Sequence, residues 1–114
     1  NNKIMKEIKA FVRPNKVNEI VHHLIDNDFE NITLSSAEGT GKLQDENTFV
    51  SQKFSVTDSE IAKLEIVAED EDVDTICAII CEYGCTLNPG DGLIYVSDVE
   101  KVYRVKTGLG NGEK

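Results

Sequence analysis

The sequence predicts an α+β sandwich, two helices laid on one face of an antiparallel sheet, with the elements in the order β-α-β-β-α-β. Three observations predict it. Apolar and polar residues alternate with period two in "MKEIKAFV" and "IAKLEIVAE", apolar residues recur at helical spacing in two other segments, and Pro or Gly stands at the joins. The 114 residues suit one domain that buries roughly two-thirds of the surface of its unfolded chain.

In the first strand, Met5 to Arg13, Ile8, Ala10 and Val12 share one face and Lys9 and Phe11 the other. Met5 reads as a natural start, so residues 1–4 are treated as an extension. Pro14 ends the strand and precedes a helix in "NKVNEIVHHLIDND", where Val17, Ile20, Val21, Leu24 and Ile25 form one inward stripe. The second strand is "NITLSSAEG". The third, "IAKLEIVAE", sets Ala62, Leu64 and Ile66 against Lys63, Glu65 and Val67. The acidic run "EDEDVD" opens the second helix, favourably placed against its dipole, with Val73, Ile76, Cys77, Ile80 and Cys81 inward and an end near Gly84. A fourth strand, "LIYV", is followed by Ser97-Asp98, a short final strand "VEKVYRV" and a Gly-rich tail over 109–114. This is the ferredoxin-like plan. Gly39 to Glu60 exceeds it, because about 22 residues of largely polar sequence stand where a hairpin loop of 2–5 would serve, and loops that long usually carry function or lack order.

With 12 basic and 21 acidic residues the formal charge is −9, which disfavours DNA and RNA as partners. A small anion remains possible, since a few local donors can hold it against that field. No apolar run reaches the roughly 20 residues of a membrane span and no secretory leader is visible, so the expected location is cytoplasmic. The three cysteines form no disulfide framework.

The segment "LNPGDGLIYV" carries the most chemistry. Glycines let a backbone take positive φ and bring N–H groups close to a ligand, so Gly90, Asp91 and Gly92 are a candidate anion nest. An ordinary P-G-D-G turn is the plainer reading. In "RVKTG", Arg104 and Lys106 stand at i, i+2 on the expected final strand and project to one side; two cations beside a nest make a phosphate site. Cys77, Cys81 and Cys85 recur every four residues, a spacing open to a soft metal or a redox pair, although Cys77 and Cys81 read as buried hydrophobes and Cys85 as the reactive thiol. His22 and His23 point about 100° apart and do not chelate together.

These pieces in this order, "MKEIKAFVRPNKV", "EGTGK", "KLEIV", "VDTI", "GDG" and "YRVKTG", resemble the PII signalling protein family, as a divergent member. The resemblance runs over residues 5–108 and implies a homotrimer that binds an adenine nucleotide (ATP, ADP or AMP) in each cleft between subunits. It implies that residues 39–60 are the T-loop, docking on a regulated transporter or enzyme through Phe49 and Phe54, and that residues 84–92 are the B-loop. By position, Gly90, Asp91 and Gly92 fall on the phosphates, Arg104 and Lys106 on their charge, Thr33, Glu65 and Val67 on the adenosine end, and Gly41 and Lys42 where the T-loop base closes. No catalytic residue and no metal site are implied, and no nucleophile–base pair is evident.

Departures from the family pattern change the expectation. Leu93 stands where the family commonly has a phosphate-binding lysine, so discrimination of ATP from ADP should be poor. Leu43 stands where a glutamine helps hold 2-oxoglutarate and magnesium, and it can neither donate to a carboxylate nor bind a hard cation. Residues 39–60 contain no tyrosine for uridylylation. Rival readings are a metal- or thiol-responsive PII-like sensor using the cysteines, an acylphosphatase-like enzyme on the same fold, and an RNA-recognition module, which the charge and the lack of stacked aromatics oppose.

Overall fold

The computed structural model describes residues 3–40, 59–86 and 91–108. Its elements are β1 (Met5–Val12), α1 (Val17–Asp26), β2 (Ile32–Gly39), β3 (Ser59–Glu69), α2 (Val73–Gly84) and β4 (Gly92–Val99). The strands form one sheet in the order β2-β3-β1-β4, every neighbouring pair antiparallel, and both helices lie on one face. That is the predicted ferredoxin-like βαββαβ sandwich.

Period-two alternation decides what each strand buries. In β1 the residues Ile8, Ala10 and Val12 are buried, and the register sets them beside Ile66, Leu64 and Ala62 of β3. Ile20 and Leu24 of α1 and Ile76 and Ile80 of α2 cap this layer, so the core lies between the helices and the centre of the sheet. Both helices enter alike. Arg13 and Glu69 are extended, a single 3₁₀ turn follows at Pro14–Lys16 and Asp70–Asp72, and the α-helix begins. Proline suits the first of these because the N–H it lacks would have no helical partner. At the end of α1, Asp28 takes φ 69°, and the N–H groups of Phe29 and Asp28 donate to the carbonyls of Leu24 and Ile25 at 2.9 Å each. This is a Schellman cap, with Phe29 folded back onto the core.

The structure corrects four expectations about strands and helices. Strand β4 runs through Ser97 and Asp98, which read as a break in the sequence. Their side chains have partners in β1: Ser97 Oγ donates to Glu7 at 3.3 Å, and Lys6 donates to Asp98, its register partner. The separate final strand is accordingly missing among the described residues; Val99 ends β4 and only Tyr103 makes an isolated bridge. Cys81 is exposed, because the inward line of α2 is Ile76–Ile80–Gly84 and the cysteines sit one position, about 100°, off it. Ile25 is exposed for the same reason, one position beyond Leu24.

Leu64, fully buried on a central strand, carries the most direct test of this core. Leu64→Ala should cost about 2–5 kcal/mol of unfolding free energy in urea. A loss under about 0.5 kcal/mol, the range of surface substitutions, would contradict the placement.

Candidate functional site

The candidate anion turn sits where β1 and β4 meet. Gly92 opens β4 opposite Val12, with φ 122°. A Cβ there would lie 1.9 Å from the Phe11 carbonyl oxygen, so glycine is required on both counts. Its demand is therefore structural before any ligand is considered.

Asp91, next to it, is held from three sides. Arg13 Nε donates to Oδ1 at 3.1 Å, the Thr86 backbone N–H donates to Oδ2 at 2.8 Å, and the Thr86 hydroxyl donates to Oδ1. Partial burial pushes the Asp91 carboxyl up, but hydrogen bonds from Thr86, Arg13 and the Cys85 side chain outweigh it and bring the pKa down from 3.8 to about 2. Arg13 is only 6% exposed and is the one buried charged side chain among the described residues. Neither Arg13 nor Thr86 was singled out from sequence. Arg13 follows the alternating strand and carries no local signal, since its partner lies 78 residues away.

The adenosine-end candidates lie elsewhere on the sheet. Thr33 and Glu65 are register partners on β2 and β3, and with Val67 they share the face away from the helices. Glu65 lies 3.4 Å from Lys63. Across the same face Glu65 faces Lys9, and Lys9 faces Tyr95, whose ring it overlies at 5.8 Å. Phe11 packs on Tyr95 with ring centroids 5.8 Å apart. This face therefore mixes paired charges with apolar surface that remains exposed, at Val67, Leu93 and Tyr95.

One chain does not bring these two groups together. Thr33 is three strand spacings from Gly92, about 14 Å across, and three residues or about 10 Å along. Arg104 and Lys106 are both exposed, but not on one side of a strand. The Arg104 carbonyl accepts the N–H groups of Thr107 at 3.2 Å and Gly108 at 2.7 Å, so the chain turns there and i, i+2 no longer means one side. Gly41, Lys42, Phe49, Phe54 and Gly90 lie outside the described residues.

Of the other clusters, His23 stacks on Tyr83 across the helix pair at 3.6 Å, and His22 lies 3.3 Å from Asp26. No set of three metal-ligating side chains converges among the described residues. None of their helices is long and apolar enough to cross a membrane.

The family model described as "Nitrogen regulatory protein P-II" matches residues 5–109. The chain belongs to the nitrogen regulatory protein P-II family. The resemblance seen in the motifs is thereby established, and P-II proteins are signal-transduction regulators. A P-II protein of Porphyra purpurea is 33% identical over 104 residues, covering 90% of this chain and 93% of its own. P-II 2 of Methanothermobacter thermautotrophicus is 34% identical over 105 residues, 91% of each chain. Among solved structures, Arabidopsis thaliana PII bound to citrate superposes with a TM-score of 0.76 at 27% identity, covering 98% of this chain and 89% of that one.

Two outcomes follow from the site's geometry. The folded carboxyl of Asp91 titrates below its ordinary value, so its stabilising effect is full above 3.8 and fades as the pH falls toward about 2. Asp91→Asn should therefore be less stable than the parent at neutral pH, with the gap in urea midpoint closing across that acid window. A gap that stayed constant would mean the carboxylate's charge does nothing. Alkylation mapped by mass spectrometry should label Cys81 and Cys85 quickly and Cys77 slowly, since burial pushes the Cys77 thiol up. Equal rates at all three would contradict the helix placement.

Proposed function

We propose that this protein is a homotrimeric, non-enzymatic, cytoplasmic P-II regulator. It binds an adenine nucleotide between subunits and controls a transporter or enzyme through residues 39–60. The observation that carries the reading is the separation on one chain of the adenosine-end residues (Thr33, Glu65, Val67) from the turn at Asp91–Gly92. Residues so far apart on one sheet serve a single nucleotide most simply when a neighbour supplies half of the site. The face between them supports the same assembly, because Val67, Leu93 and Tyr95 are apolar groups that packing of sheets around an axis would cover.

In this reading Arg104 and Lys106 neutralise phosphate, Gly90 and Gly92 present backbone N–H groups, and Gly41 and Lys42 close the phosphate end. Leu93 is 61% exposed on the same strand as Gly92, so a cation at that position would reach solvent beside the turn. Its absence removes one charge-assisted hydrogen bond. The loss is roughly ten- to a hundredfold in affinity and falls mainly on one phosphate. ATP and ADP should therefore bind with similar strength, and 2-oxoglutarate should not bind, given Leu43.

Calorimetric titration with ATP, ADP, AMP, 2-oxoglutarate and citrate, alongside light scattering, tests the reading. Citrate joins the panel because the Arabidopsis relative is described as bound to it. The expected result is a trimer that binds adenine nucleotides with little preference between ATP and ADP, with Leu93→Lys tightening ATP by roughly tenfold or more. A monomer at micromolar concentration would remove the shared site. A trimer that bound no adenine nucleotide at millimolar concentration would leave the assembly standing and remove the ligand.

A further inference from the structure

Asp91 lies in the middle of a turn assigned to an anion, in a chain of net charge −9. A bare carboxylate there would repel the ligand. Its hydrogen bonds point away from a role in binding. An ionised carboxylate accepts only, and the Asp91 oxygens already take the Arg13 guanidinium and both donors of Thr86. Arg13 in turn is placed by the backbone. It is extended ahead of Pro14, its carbonyl accepts the Lys16 N–H at 3.0 Å, and its side chain is buried. A buried guanidinium needs a paired anion, and Asp91 supplies one.

We propose that Asp91 is not a ligand of the bound anion but the anchor of the turn, and that Arg13 is a positioning residue that both fixes Asp91 and cancels its charge. Thr86 and Asp91 flank residues 87–90, so their two hydrogen bonds tie the ends of that segment together, and Arg13 ties the pair to the end of β1. The turn then shows an approaching phosphate no net negative charge. This rests on the nucleotide reading above and assigns a role to residues that reading leaves aside.

A double-mutant cycle separates this from the alternatives. Arg13→Ala leaves a carboxylate in the turn whose charge nothing cancels and should weaken ATP binding roughly ten- to a hundredfold. Asp91→Asn keeps one acceptor oxygen, enough for Arg13 and the Thr86 hydroxyl but not for the Thr86 N–H as well, and should weaken it less. Arg13→Ala combined with Asp91→Asn removes the uncancelled charge and should recover roughly tenfold over Arg13→Ala alone. If Asp91 touched the ligand or a cation bound with it, Asp91→Asn alone would lose as much as Arg13→Ala and the double variant would recover nothing, which overturns the proposal.

Exchange of the Thr86 amide with solvent deuterium gives a second reading that needs no ligand. The amide should be protected in the wild type and exchange faster in Arg13→Ala, at a melting temperature that shows the chain still folded. Unchanged exchange would overturn the clamp whether or not nucleotide binds. Faster exchange without nucleotide binding by the wild type would keep the clamp and remove the ligand assignment instead.

Discussion

Strand β1 is paired along its whole length on both sides, Met5 to Val12 against Glu69 to Ala62 and against Val99 to Gly92. A strand in that position has no slack, because a one-residue slip would turn Ile8, Ala10 and Val12 out of the core. The second pairing ends on Gly92, where a Cβ would fall 1.9 Å from the Phe11 carbonyl oxygen, so the register leaves room only for glycine. What lies around the turn before β4 is therefore registered to β1, and through β1 to the core and both helices.

Charge follows from the same registration. Arg13 is the first residue past β1 and Asp91 the last before β4, so antiparallel pairing of Val12 with Gly92 brings them side by side. Farther along, the pairing sets Lys6 beside Asp98, and the face away from the helices carries Glu7, Lys9, Lys63 and Glu65 in alternating sign. A strongly acidic chain can in this way keep its sheet locally near neutral. Exposed pairs of this kind contribute little to stability, but they do remove like-charge contacts from a face that also carries Val67, Leu93 and Tyr95.

The repeating parts of the fold were legible in the residues, because burial imposes a period on strand and helix alike. The core of β1 and β3, most of the inward line of both helices, the strand end at Pro14 and the family itself are legible in motifs in order. The errors arose where a local pattern was overridden by a distant partner. Ser97-Asp98 looks like a break until β1 supplies Lys6 and Glu7. The stripe ending at Cys81 looks inward until the helix is seen to face the core along Ile76, Ile80 and Gly84. Arg13 offers no signal at all, since its significance depends on a residue 78 positions away. The glycines of "GDG" are legible as a turn that needs positive φ, but the partners of Asp91 are not, since Arg13 and Thr86 meet it only in the folded sheet.

The proposed anion site lies at the β1–β4 junction, with its own aspartate turned inward onto Arg13 and Thr86. A crystal structure of the protein with saturating ATP tests it most directly. Phosphates are expected at the junction between two subunits beside Gly92, adenosine against Thr33, Glu65 and Val67, and the Asp91 carboxylate still on Arg13 and Thr86. Nucleotide bound away from that junction, or an Asp91 carboxylate that has left Arg13 to meet the ligand, would contradict it.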